Sequence, residues 1–224
     1  MLLILCLWVL IQPASAADAP QGAEKYPVSA DQLTARKWFM IGDSLTEGLG
    51  VTKEEAYPAI LQKSFRVQSD PRLARIEIVN AGLSGSTSAS AVSRVKWILK
   101  GKPSGIVLAL GANDGLRGLK PADTKKNLEE AIDLAQAAKV PVILLSMKMP
   151  KNYGAEYVKE FDAIFPVLAK KKKLPKPVFL LEGVATKVEL NQADGIHPNA
   201  KGHIEMAKTV YQVISKWIEK NEKI

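Results

Sequence analysis

The sequence predicts an α/β protein, a three-layer α/β/α sandwich in one domain. Three observations carry this. Five short apolar runs alternate with segments of helical periodicity along the 224 residues. The runs are nearly continuous, which marks strands buried on both faces, as in a parallel sheet between helix layers. Several end in glycine or in small polar residues, where such a strand leaves the core.

The elements follow in chain order. Trp38–Ile41 is the first apolar run and ends at Gly42. Glu54–Phe65 has helical spacing, with Ala56, Ile60 and Leu61 on one side. Ile76–Val79 is the second run, followed by Asn80-Ala81-Gly82. Ser88–Leu99 is helical through Val92, Val95 and Leu99. Ile106–Leu110 is the third run, closed by Gly111. Thr124–Ala138 places Leu128, Ala131, Ile132 and Ala135 in phase. Val140–Leu145 is the fourth run, and Tyr157–Lys170 is a helix on Phe161, Ile164, Phe165 and Leu168. Pro177–Leu181 is the fifth run. Pro198–Ile218 closes the chain as an amphipathic helix, with Pro198 suited to its first position.

The domain reading is 1–16 a secretory signal peptide, 17–35 an extended leader and 36–224 the folded domain. Met1–Ile11 is apolar throughout and is followed by Ala14-Ser15-Ala16, a small-x-small cleavage pattern. The apolar stretch is too short to span a bilayer, which takes about 20 residues. No basic residue precedes it. Cleavage after Ala16 removes Cys6, the single cysteine, and leaves a chain suited to an oxidising compartment. The expected location is therefore exported, periplasmic or secreted.

Composition excludes several classes. An apolar fraction of 47% and a charged fraction of 24% are those of a globular chain. One cysteine excludes a disulfide scaffold and a cysteine-based zinc site. The net charge of +8 is scattered, apart from the run Lys170–Lys173, and aromatics make up only 6%. No nucleic-acid-binding signature accompanies the charge, so no nucleic acid partner is expected. With two histidines, His197 and His203, any imidazole chemistry falls to one of them.

In open α/β sheets the working site lies beyond the carboxyl ends of the strands. Four polar clusters sit there: Gly42-Asp43-Ser44-Leu45, the loop Asn80–Ser88, the segment Leu110–Gly118, and Asp194-Gly195-Ile196-His197-Pro198. Gly-Asp-Ser is ordinary turn chemistry, and Ser44 can equally be a helix cap. On a tight strand-to-helix turn it can also be a nucleophile, with free N–H groups nearby to hold a developing negative charge. A serine nucleophile needs a base. His197 precedes a proline and so sits in extended backbone, and Asp194 is three residues upstream, close enough to meet its far ring nitrogen. His203 falls inside the last helix and reads as packed or solvated. Asn113 is either a turn residue or a side-chain donor to an oxyanion, with Gly85 offering a backbone N–H. The glycine loop Gly82–Gly85 lacks the spacing and the lysine of a phosphate cradle.

These four clusters, in this order, resemble the four blocks of the SGNH (GDSL) hydrolases. The resemblance covers about residues 37–220. It is closest to the periplasmic arylesterase, thioesterase I and lysophospholipase group, through Asn113-Asp114-Gly115-Leu116-Arg117-Gly118 and Asn152-Tyr153-Gly154. The resemblance implies a flavodoxin-like, five-stranded parallel sheet of order 2-1-3-4-5. It implies Ser44 as nucleophile, His197 as base, Asp194 as its partner, and an oxyanion hole from the Ser44 and Gly85 N–H groups and the Asn113 side chain. Gly115–Leu119 matches the group's mobile substrate loop. Ser86 departs from the group, whose members carry an acidic residue there.

The implied activity is hydrolysis of carboxylic esters or acyl thioesters through an acyl-enzyme on Ser44, with no metal or other cofactor. Leu116, Leu119, Met149, Pro150 and Tyr153 are the expected apolar substrate contacts. The expected partner is a small-molecule or lipid ester, with peripheral contact to anionic membrane allowed by the charge, and the expected state is a monomer. Two alternatives stand beside this: a metal-dependent phosphoesterase on Asp43, Asp114, Asp194 and His197, and a ligand-binding module on the same fold.

Overall fold

The computed structural model describes residues 34–222. The expected signal peptide, 1–16, and nearly all of the expected leader, 17–35, lie outside the described residues. Four parallel strands form the sheet: β1 (Arg36–Gly42), β2 (Ile76–Gly82), β3 (Gly105–Ala109) and β4 (Val142–Leu144), in the order β2-β1-β3-β4. Between and after them run α1 (Ser44–Glu47), α2 (Tyr57–Arg66), α3 (Pro71–Ala74), α4 (Ala91–Leu99), α5 (Ala112–Leu116), α6 (Pro121–Ala137), α7 (Ala155–Lys171) and α8 (Ala200–Asn221).

Strand order dictates the layers. The chain moves from β1 outward to β2, then back across β1 to β3 and β4. Right-handed crossovers in opposite directions place their helices on opposite faces. Accordingly α2 packs with α8, while α4, α6 and α7 pack side by side. The central strands bear out the sequence pattern: β3 is buried at every position, and Trp38, Met40 and Ile41 of β1 are fully buried. Burying each large apolar side chain contributes about 1.5–3 kcal/mol. Trp38 pairs in register with Gly105, where a Cβ would lie 2.6 Å from the indole, so the sheet accepts the large ring only opposite a glycine.

Three expectations are corrected. Pro177–Leu181 forms no fifth strand; it makes one parallel bridge, Ser146 to Phe179, beside the end of β4. The Ser146 N–H donates to the Val178 carbonyl at 2.9 Å and the Leu180 N–H to the Ser146 carbonyl at 3.2 Å. Pro177 has no N–H to extend the ladder, and the chain turns away at once, with the Glu182 N–H on the Phe179 carbonyl. The sheet is therefore four-stranded, with this segment where a fifth strand would lie. Pro198 is not the first residue of the last helix; Asn199 caps α8, its side chain accepting the Lys201 and Gly202 N–H groups. Finally, β2, at the sheet edge as the expected order has it, is only partly buried instead of buried on both faces.

Register brings the polar clusters together. Gly42 pairs with both Gly82 and Ala109, so β1, β2 and β3 end level. The backbone of α1 lies directly over Gly82, where a Cβ would come within 2.1 Å of the Glu47 nitrogen. A side chain at 82 would displace the turn that carries Ser44.

Candidate active site

Asp43, Ser44 and the short helix α1 follow β1 without a spacer. The Asp43 carboxylate caps this helix by accepting the Leu45 N–H at 3.0 Å. Ser44 is nearly buried, with 9% of its surface exposed. Its Oγ lies 3.0 Å from His197 Nε2. On the other side of the ring, His197 Nδ1 lies 2.7 Å from Asp194 Oδ2. Asp194 Oδ1 accepts the backbone N–H groups of Ile196, at 2.9 Å, and His197, at 3.0 Å. Those N–H groups and the ring hold the Asp194 carboxyl at about 2, below the usual carboxylate range, the His197 backbone contributing most. The loop is fixed beneath by the Gln192 N–H on the His197 carbonyl.

Asn113 opens α5 just after β3, behind Gly111 with φ +123°. Its Nδ2 donates to the Ser86 carbonyl at 3.1 Å and reaches Asp43 Oδ2 at 3.5 Å. The amide thus bridges the Ser44 turn and the Gly85-Ser86 loop. One hydrogen is firmly committed; the other makes a long contact that a better acceptor can displace. Among the described residues no acceptor meets the Ser44 or Gly85 N–H group. Ser44, Asp194 and His197 are joined by hydrogen bonds, and the three expected oxyanion donors each have a hydrogen to offer. Ser86 takes part through its carbonyl, so its unusual side chain does not enter this bond.

The expected substrate contacts are distributed differently. Leu116 is half-buried at the end of α5, and Leu119 (42%) and Pro150 are exposed. Met149 is buried in the core beneath Gly115, where a Cβ would meet its sulfur at 2.2 Å. The Tyr153 hydroxyl donates to the Leu116 carbonyl at 3.1 Å. Tyr157, missed in the sequence, donates to the Leu119 carbonyl at 2.8 Å and approaches that of Gly115 at 3.3 Å. Two tyrosine hydroxyls therefore tie down the segment Gly115–Leu119, and the first part of that segment is helix.

The surroundings of several other polar residues were not visible in the sequence. Asp43 is 1% exposed, and burial raises its carboxyl to about 6 against the opposing Leu45 N–H. Glu47 accepts the N–H and hydroxyl of Ser84, tying the glycine loop to α1. Arg117 donates to the Gly85 carbonyl at 3.1 Å. Asp114, buried, receives the Ser88 N–H and hydroxyl and the Thr124 hydroxyl, which fixes the start of α4 against α5 and α6. Of the four groups of the metal reading, Asp194 and His197 are bonded to each other while Asp43 and Asp114 are engaged elsewhere, and among the described residues no three His, Cys, Asp or Glu side chains gather as ligands. His203 is buried in α8; its Nδ1 accepts the Tyr57 N–H at 3.2 Å, and burial lowers its pKa to about 4.

Residues 40–203 match the family described as GDSL-like lipase/acylhydrolase. Esterase TesA of Pseudomonas aeruginosa is 35% identical over 185 residues, 82% of this chain and 90% of its own. Thioesterase 1/protease 1/lysophospholipase L1 of Escherichia coli K12 is 36% identical over 162 residues, 72% of this chain and 74% of its own. The crystal structure of the esterase EstA from a Pseudoalteromonas species superposes with a TM-score of 0.76 at 31% identity, over 82% of this chain and 99% of that one. The family match spans the strand-end turn of Ser44, the Gly85 loop, Asn113 and the Asp194–His197 loop alike, and the chain belongs to the GDSL-like lipase/acylhydrolase family.

Proposed function

We propose that the chain is a serine esterase that transfers an acyl group from a carboxylic ester or thioester to water. The observation that carries this is the continuous line Ser44 Oγ, His197 Nε2, His197 Nδ1, Asp194 Oδ2, with contacts of 3.0 and 2.7 Å. The Ser44 oxygen attacks the carbonyl carbon while its proton passes to Nε2. The oxyanion is held by the Ser44 and Gly85 N–H groups and by Asn113, which exchanges its long contact with Asp43 for the substrate oxygen. Nε2 then protonates the departing alcohol or thiol, leaving the acyl group on Ser44. Water, deprotonated by the same nitrogen, attacks that ester; the carboxylic acid leaves and Ser44 recovers its proton. Every step uses the chain's own backbone and side-chain groups and water.

Leu116 and Leu119 follow Asn113 on the same segment, Tyr153 bonds the Leu116 carbonyl, and the three favour apolar acyl or aryl groups. Arylesterase, thioesterase and lysophospholipase substrates are the classes to try, the last two appearing in the name of the Escherichia coli relative. A small or lipid ester is the partner, the enzyme acts as a monomer without nucleic acid, and it works after export, in the periplasm or outside the cell. Among the described residues no helix is long and apolar enough to cross a membrane.

The test is covalent. A small organophosphonate should add once, at Ser44, with loss of activity towards p-nitrophenyl esters. Ser44→Ala should neither label nor turn over, and EDTA should leave the wild-type rate unchanged. Full activity in Ser44→Ala, or its loss on chelation, would move the chemistry to the metal-dependent reading.

A further inference from the structure

A cleft of about 300 Å³ lies between the end of β2, with the loop residue that follows it, and α4. β2 is the edge strand of the sheet. Ala81 and Leu83 line it from the strand side; Arg94, Trp97 and Ile98 line it from the helix. The three helix residues have i, i+3, i+4 spacing and so share one face.

Two features mark this cleft. Trp97 is 67% exposed and Leu83 58% exposed, so two large apolar groups stand in water on opposite walls. Between them sits a half-buried cation. Arg94 donates Nη1 to the Gly42 carbonyl at 2.8 Å, and among the described residues no carboxylate lies within ion-pair distance of it. Burial lowers its pKa, and the charge of Asp43 only partly opposes this. A partly desolvated guanidinium with free donors binds a carboxylate well. Flanking apolar walls suit a hydrocarbon chain attached to that carboxylate.

We propose that this cleft binds a medium-chain carboxylate, the product class of the acyl-transfer reaction above, at a site separate from Ser44. The carboxylate meets Arg94, and the chain lies against Leu83, Trp97 and Ile98. The choice of ligand rests on the proposed function; the cleft itself does not. A volume of about 300 Å³ leaves room for a hydrocarbon chain of medium length. The site is one hydrogen bond from the catalytic turn, because the Gly42 carbonyl that receives Arg94 also receives the Leu83 N–H at 3.1 Å.

The experiment uses enzyme phosphonylated at Ser44, so that the acyl side of the active site is occupied. Mass spectrometry is read first: a missing adduct counts against the acyl-transfer reading alone, and the titration then runs on Ser44→Ala. Decanoate is titrated by calorimetry and by tryptophan emission. Saturable binding of one equivalent is expected, weakened roughly tenfold or more in Trp97→Ala, in Arg94→Gln, and for decanol in place of decanoate, since each removes the chain wall or the charged contact. Trp97→Ala changes an exposed side chain, so it keeps the test valid if Arg94→Gln fails to fold. No binding to the blocked enzyme, equal binding by Trp97→Ala, or equal binding of decanol overturns the proposal.

Discussion

The Asp194 carboxylate holds His197 twice, with Oδ1 on its backbone N–H at 3.0 Å and Oδ2 against ring Nδ1 at 2.7 Å. The first contact fixes the loop; the second fixes the ring. Asp194→Asn separates them. The amide oxygen can still accept the Ile196 and His197 N–H groups, so the loop should stay folded. The amide group facing Nδ1, if it donates, forces the proton onto Nε2, where it cannot accept from Ser44. We expect kcat to fall about 10³–10⁴-fold with little change in melting temperature. Stability follows the same carboxylate. Its folded pKa lies below the unfolded one, so its contribution is present above about 4 and lost as pH falls towards about 2. Steady-state kinetics and acid denaturation of the variant check both parts.

Asp43 titrates with the opposite sign. Burial raises its folded pKa from the ordinary 3.8 to about 6. In that window the folded state binds more protons than the unfolded one, so stability falls as pH rises from about 4 through about 6. The charged form, required above that range, costs about 1–3 kcal/mol. It is retained because Oδ1 caps the Ser44 helix and Oδ2 faces Asn113. His203, held neutral by burial with its pKa at about 4, pushes the other way as pH falls below its ordinary range. The difference between wild type and Asp43→Asn removes that background. We expect Asp43→Asn to lose the stability gain on acidification and to lower kcat more than it raises KM, as the oxyanion donor loosens. Urea unfolding from neutral pH to about pH 4, beside kinetics at each pH, reads both.

The two histidines separate by experiment. His203 accepts the buried Tyr57 N–H and stacks on the Tyr57 ring, 6.3 Å between centroids. His203→Leu leaves that N–H without its acceptor, at a cost of about 1–3 kcal/mol. Its kcat should stay near wild type at a temperature where it is folded. His197→Ala should show the reverse, normal melting and almost no turnover. Comparable kcat losses in both would implicate His203 in the chemistry.

Much of this was legible in the sequence, for identifiable reasons. Strands β1, β3 and β4 carry dense apolar runs because they are buried between the helix layers, and Ser44, Asn113, Asp194 and His197 stand in short stretches of otherwise ordinary turn chemistry. Pro177–Leu181 misled because an apolar run shows burial, not hydrogen bonding; a proline and an immediate turn leave it one bridge. Met149 looked like a groove residue because its position after β4 was visible, but its direction, down beneath Gly115, was not. The bonds made by Tyr157, Arg117 and Arg94 were invisible for a related reason. Each reaches a backbone carbonyl far along the chain, and such bonds impose no residue type on their acceptors.

That invisibility gives Tyr157 a clear test. Its hydroxyl is bonded to the Leu119 carbonyl at 2.8 Å and lies 3.3 Å from that of Gly115, while its ring stacks between Tyr153 and Phe161. Tyr157→Phe removes the hydroxyl and keeps the ring, so packing in α7 is preserved. The carbonyls it releases can turn to water, and one net hydrogen bond is worth about 1 kcal/mol, or about fivefold in the population of the tied-down segment. If Gly115–Leu119 contacts substrate, KM for an apolar ester should rise by about that factor while kcat stays close to wild type. Tyr153→Phe, releasing the Leu116 carbonyl, should act in the same direction, and the double variant should show coupling because both bonds hold one segment. A fall in kcat at constant KM would instead tie the segment to Asn113, two residues before Gly115, and to the oxyanion it is placed to hold.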